Sequence, residues 1–319
     1  MEYRYKQYMC LIKNDKNNKT PLFQGTATMM VTPFANGRLW TEALRELIEF
    51  QIDAGVQAIV MAGTAGEGPG MDDGLRREVI EAGIRLAEKR VKVLVAVGGP
   101  DVAYTVKLVR WACREGADGF LVVPPYYAKT SEEGLYQYYM EIAEHSEVPI
   151  ILSNIPARTG LTLSAGLCER LAEHPMINGV KEVSGNTVFS GEVMRRCKGK
   201  LYVWTGNDDQ IVPLIAMGAQ GIFSTAANLI PREICGMVEK MMWGSVEERR
   251  AAAEQQVNYM ELFQAQFWET HPIPIKTAMR EAGFPVGEFR PPLIEMNRET
   301  WKKMKEAIQG TGIDVLWKR

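Results

Sequence analysis

The sequence predicts an α/β protein, a (β/α)8 TIM barrel carrying a C-terminal helical appendage. Two observations carry the prediction. Eight short apolar runs alternate with eight amphipathic stretches between residues 27 and 243, and beyond Gly244 only helical patterns remain.

The apolar runs fall at 27–31, 58–61, 91–97, 119–123, 149–152, 179–183, 201–204 and 221–224. They are rich in β-branched residues and continuous rather than alternating, as expected of parallel strands buried on both faces. Helical spacing follows each. In 41–50, Thr41 is a residue type that caps helix starts, and Leu44, Leu47 and Ile48 share one face. Comparable patterns occupy 72–89, 102–115, 132–145, 164–173, 186–197, 209–217 and 231–243. Turns such as Glu115-Gly116-Ala117-Asp118 supply the glycine that a left-handed helix end favours. The rival open sheet lacks its GxGxxG fingerprint after the first strand. Helices at 246–266, 273–282 and 298–309 complete the chain. The expected organisation is an N-terminal tail (1–24), a barrel bearing the active site (25–244) and a C-terminal helical extension (245–319).

Composition excludes several partner classes. Lys+Arg number 37 against Asp+Glu 39, with no long run of one sign, so neither nucleic acid nor an anionic membrane is called for. No apolar stretch reaches the ~20 residues that span a bilayer. The 5 cysteines are scattered without a CxxC pair, as in a reducing compartment. His145, His174 and His271 are too dispersed for a metal site and are expected on the surface or in loops. The first residues lack the apolar core of a signal peptide, so a cytoplasmic location is expected.

In such barrels the active site gathers at the C-terminal ends of the strands. Those ends carry Gly63-Thr64-Ala65-Gly66-Glu67-Gly68, Pro124-Pro125-Tyr126-Tyr127, Ser153-Asn154-Ile155-Pro156-Ala157-Arg158, Lys181-Glu182-Val183 and Gly206-Asn207-Asp208-Asp209. Lys181 stands out, because a lysine inside an apolar strand is costly to bury. Desolvation lowers such an amine's pKa and leaves a nucleophile able to attack a carbonyl. The plainer alternative is an ion pair with Glu182 or a side chain that snorkels to solvent. The glycines at 63, 66 and 68 let backbone N–H groups converge on a carboxylate, or serve only to make a tight turn. Arg158 offers a planar guanidinium to the same type of ligand.

Read together, GTATMMVTPF (25–34), GTAGEG (63–68), VVPPYY (122–127), ILSNIPARTG (151–160), GVKEVSGN (179–186), WTGNDD (204–209) and HPIPIK (271–276) resemble the dihydrodipicolinate synthase / N-acetylneuraminate lyase family. These are class I, pyruvate-dependent lyases. The resemblance implies that Lys181 forms a Schiff base with pyruvate or another 2-oxo acid, with no other cofactor and no metal. It further implies catalytic roles for Tyr127, Thr64 and the Ser153 position, and substrate contacts from Gly63, Thr64, Ala65, Arg158, Asp208 and Phe223. A homotetramer, a dimer of dimers with Tyr127 crossing a subunit boundary, is implied as well.

Two departures bear on activity. Ser153 stands where the family places a proton-carrying tyrosine, and Ala65 replaces a second hydroxyl in the glycine turn. A serine hydroxyl is shorter and far less acidic than a phenol, whose pKa is about 10. The expected function is therefore an aldolase or dehydratase on a 2-oxo acid, including sugar acids, since Asp208-Asp209 resembles the acidic pair that holds polyol hydroxyls. The alternatives are an authentic 4-hydroxy-tetrahydrodipicolinate synthase and a catalytically retired barrel that senses 2-oxo acids. Pro100 and Tyr104, where lysine-inhibited synthases carry polar and acidic residues, predict no feedback inhibition by lysine.

Overall fold

A computed structural model describes residues 19–317, so residues 1–18 of the expected tail lie outside the described residues. Eight parallel strands close into a barrel: β1 (Gly25–Met29), β4 (Ala58–Met61), β5 (Lys92–Val97), β6 (Gly119–Val122), β7 (Ile150–Asn154), β8 (Ile177–Glu182), β9 (Tyr202–Thr205) and β10 (Gly221–Ser224). The last returns to pair with the first, Ala27 standing opposite Phe223. Two-residue strands β2 (Phe34–Ala35) and β3 (Arg38–Leu39) form a small hairpin beside the barrel.

Alternation along each strand sorts side chains between two cores. Inward residues such as Ala27, Met29, Val60, Leu121, Ile151, Trp204 and Phe223 fill the lumen. Outward ones such as Leu152, Val180 and Val203 pack against the surrounding helices. The barrel floor is closed from below by Phe23, which stacks on Trp204 at 5.2 Å and meets Phe223 edge-on at 5.3 Å. Gly179 makes room for that indole, since a Cβ there would stand 2.3 Å from Trp204 Cζ3. Lys19 pins the same segment by donating to the carbonyls of Ala172, His174 and Ile177 at 2.6, 2.7 and 2.6 Å. Residues 19–24 are thus a packed plug.

Strand and helix order follow the sequence pattern, and the differences lie at boundaries. The fifth barrel strand runs two residues past Leu152, because Ser153 faces the lumen and Asn154 donates from its side chain to Glu182 at 2.7 Å. The helix α1 (Thr41–Asp53) begins one residue earlier than its capping pattern implied: Trp40 holds the N-cap position and Thr41 is already helical. The stretch 246–266 divides at Tyr259 into Val246–Asn258 and Met260–Ala265. A four-residue helix, Pro156–Thr159, occupies what reads as loop. Around the mouth, Asp72, Asp101, Ser131, Ser164 and Asn186 cap the helices that leave it, each side chain accepting the backbone N–H three residues on, from Leu75 to Phe189. No helix among the described residues is long and apolar enough to cross a membrane.

Candidate active site

At the C-terminal ends of the strands lies a cavity of about 230 Å³, lined by Gly63, Thr64, Ser153, Arg158 and Lys181 among apolar neighbours including Met29, Val97 and Leu121. Period-two alternation accounts for the key placement. Lys181 and Ser153 lie opposite one another in register on β8 and β7 and both face inward. Glu182, one residue on, faces outward and is satisfied by the Asn154 amide and the backbone N–H of Ser184. The ion pair Lys181–Glu182 is therefore not formed; neighbours on a strand point to opposite faces.

Lys181 is only 7% exposed, with its Nζ 5.7 Å from the centroid of the Phe223 ring. Burial brings its pKa down from 10.5 to about 8; the Asp208 carboxylate opposes that fall and the Arg158 guanidinium adds to it. An appreciable neutral fraction near pH 8 is what a carbonyl-attacking amine requires. Gly206, on the neighbouring strand end, leaves space for the lysine stem: a Cβ there would stand 2.4 Å from Lys181 Cε.

The glycine turn sits across the cavity. Gly63 and Thr64 line it, while Ala65 is buried and packs into the lumen. Arg158, on the short helix Pro156–Thr159, donates from Nη2 to the carbonyl of His271 at 3.0 Å. It lines both this cavity and a second one of about 470 Å³ formed with Asn207, Asp208, Asp209, Glu269 and His271. Phe223 is fully buried and lies beneath Lys181 as part of the floor, outside the cavity wall.

Two site residues take unexpected positions. Asp208 borders the second cavity, but its carboxylate already accepts from the Ser224 hydroxyl and from the N–H groups of Thr225 (3.2 Å) and Ala226 (3.1 Å). It braces the turn after β10. Tyr127 is 96% exposed and held at φ 65°, a left-handed conformation uncommon for a non-glycine residue. Within one chain it does not border the cavity; Tyr126 does.

His271 lies in the turn before the helix Ile273–Glu281, as the loop expectation had it, but not at the surface. It is buried, and burial together with the charges of Arg158 and Lys181 lowers its pKa to about 3, so its ring is neutral. Its Nδ1 has no hydrogen-bond partner among the described residues. Gly206 and His271 both fall within the quoted WTGNDD and HPIPIK segments, so a signal for them existed; their spatial roles depend on strands and helices distant in sequence.

Comparison with known proteins gives a consistent picture. The chain matches the Dihydrodipicolinate synthetase family over residues 22–311. It is 37% identical over 295 residues to the 4-hydroxy-tetrahydrodipicolinate synthase of Acetivibrio thermocellus, spanning 92% of this chain and 99% of the relative. Its fold superposes on the crystal structure of dihydrodipicolinate synthase from Aquifex aeolicus with a TM-score of 0.87 at 36% identity, covering 92% and 99% of the two chains. A monomeric dihydrodipicolinate synthase variant also matches, with a TM-score of 0.87 at 32% identity and coverage of 91% and 97%.

Proposed function

Because the chain belongs to the dihydrodipicolinate synthetase family of Schiff-base lyases, we propose that Lys181 condenses with pyruvate and passes the resulting enamine to an aldehyde, in the manner of a 4-hydroxy-tetrahydrodipicolinate synthase. The placement of Lys181 carries this proposal: a buried amine with a lowered pKa, facing a small cavity edged by the glycine turn and Arg158.

In the proposed sequence the neutral amine adds to the ketone carbon, water leaves, and the iminium draws electrons from the adjacent carbon. Loss of a proton there gives the enamine, whose carbon attacks the aldehyde. The turn at Thr64–Ala65 would hold the carboxylate and Arg158 a second acidic group. Ser153 is too short and too weakly acidic to replace a phenol. Proton transfer would then fall to the Thr64 hydroxyl, to Ser153 through water, and to Tyr127 of a neighbouring copy. The exposure and left-handed backbone of Tyr127 fit a side chain that reaches out of its own chain. A homotetramer built from dimers is proposed on that basis; light scattering that gave a monomer at working concentration would count against it.

An aldolase or dehydratase acting on sugar acids is the second possibility, favoured by the space that Ser153 leaves beside Lys181. The engagement of Asp208 by Ser224, Thr225 and Ala226 weighs against it, since that carboxylate is not available to hold hydroxyls. Incubation with pyruvate, borohydride reduction and peptide mass spectrometry should place an adduct on Lys181, and aspartate semialdehyde should then be consumed with pyruvate. Turnover of 2-oxo sugar acids instead would favour the second possibility. No adduct from pyruvate or longer 2-oxo acids would favour a retired, ligand-sensing barrel.

A further inference from the structure

A lysine of the C-terminal helices reaches the glycine turn at the barrel mouth. Lys276, in the helix Ile273–Glu281, is 1% exposed, and its ammonium donates to Glu67 Oε1 at 2.6 Å, the Glu288 carbonyl at 2.6 Å and the Thr32 carbonyl at 3.0 Å. Its three protons are thereby all used. The other Glu67 oxygen accepts from the backbone N–H of Arg290 at 2.9 Å, and the Glu67 side chain is 2% exposed. Neither residue lines the Lys181 cavity.

What this pair holds is the turn at 63–68. Glu67 itself sits at φ 61°, a conformation that persists in a non-glycine residue only when its surroundings enforce it. Its backbone N–H donates to the Thr64 carbonyl at 3.1 Å, and Gly68 N–H donates to the Gly63 carbonyl at 3.0 Å, so the two cavity-lining residues are tied to the backbone of the residue that bears the paired carboxylate and of the one after it. The turn is wedged as well as tied. A Cβ on Gly68 would meet the Ala62 carbonyl at 1.8 Å, and one on Gly66 would meet the Met30 carbonyl at 2.9 Å. Thr32, whose carbonyl accepts from Lys276, donates its hydroxyl to the Gly66 carbonyl at 2.8 Å. On the far side the C-terminal segment lies against the hairpin, Gly287 bridging to Phe34. A buried ion pair is a poor device for stability alone, because apolar residues of similar size hold elements together equally well. Its directional hydrogen bonds suit a different task, which is to fix one backbone geometry.

We infer that Lys276 is a positioning residue that, through Glu67, sets the geometry of the substrate-carboxylate turn, making the C-terminal helical extension a working part of the active site. The inference rests on the proposal that this turn holds the carboxylate of the 2-oxo acid. It predicts that breaking the pair loosens substrate binding before it harms the chemical step.

The test compares Lys276→Met, Lys276→Arg and Glu67→Gln with Lys19→Met, which removes a half-buried amine bound to three carbonyls at the opposite end of the barrel. Two quantities are read on folded protein: amide hydrogen exchange at residues 64–68, and the pyruvate concentration giving half-maximal borohydride trapping. Loss of charged hydrogen bonds of this kind should speed exchange and raise that concentration by about tenfold or more in Lys276→Met, with the maximal trapping rate changed less than about threefold. Lys276→Arg should fall between. Lys19→Met should lower the melting temperature and change neither quantity. Should Lys276→Met not fold, Glu67→Gln carries the same comparison. Unchanged exchange and unchanged half-saturation in the folded pair-breaking variants would overturn the inference. If the native protein traps no 2-oxo acid, the carboxylate proposal fails by itself, and exchange at 64–68 still decides whether Lys276 positions the turn.

Discussion

Replacing Lys181 by Met should make the protein more stable, by an amount that depends on pH. The amine is buried, and its pKa falls from 10.5 to about 8 on folding. At ~1.36 kcal/mol per pKa unit, that fall corresponds to about 3 kcal/mol of destabilisation carried by the native lysine. The sign follows from proton counting. Between pH 8 and 10.5 the unfolded chain binds more protons at this site than the folded one, so native stability rises with pH across that window. The deficit is fully present below about pH 8 and shrinks to about 1 kcal/mol by pH 10. Methionine is unbranched and apolar, close to lysine in length, and would keep the contact with Phe223 without a charge. Urea denaturation of both proteins at pH 7 and pH 10, at matched concentration, measures the effect directly. A Lys181→Met variant less stable than native at pH 7, or a gain as large at pH 10 as at pH 7, would refute the reasoning.

Two further outcomes are expected. The initial rate of pyruvate trapping should rise through about pH 8 and level off above it, following the neutral form of Lys181; Asp208→Asn should move that midpoint to lower pH, because the Asp208 charge holds the amine up. A midpoint near the ordinary lysine value, or an alkaline displacement, would contradict this. Gly206→Ala should reduce trapping by about tenfold or more at unchanged circular dichroism, since its Cβ would stand 2.4 Å from Lys181 Cε and 2.7 Å from Val183 Cγ2 and must displace the lysine stem. Native-like trapping in that variant would remove the positional role of Gly206.

Much of the barrel was legible because it is written in local periodicity. Continuous apolar runs at 58–61 or 221–224 have one comfortable home, a strand covered on both faces, and the intervening 3.6-residue patterns supply the covering helices. Lys181 was legible for the opposite reason: a charge inside such a run violates the local rule, and violations of that kind gather at functional sites. Boundaries were less so. Ser153 and Asn154 read as loop because they are polar, yet the lumen accommodates the first and Glu182 pairs with the second, and neither partner is visible locally. The hydroxyl of Ser224 and two N–H groups claim Asp208 in the same non-local way.

The sequence by itself determined the strand–helix alternation, the lysine that breaks an apolar strand, and the motif set shared with a family of lyases. Only the tertiary structure decided that Lys181 and Ser153 face the same cavity, that Glu182 turns away, that Tyr127 projects outward, that Phe23 closes the floor and that Lys276 holds Glu67 across 209 residues of chain. The division has a physical cause. Propensity and amphipathic period act over a few residues, whereas desolvation, register and the pairing of buried charges arise once distant segments have closed around one another.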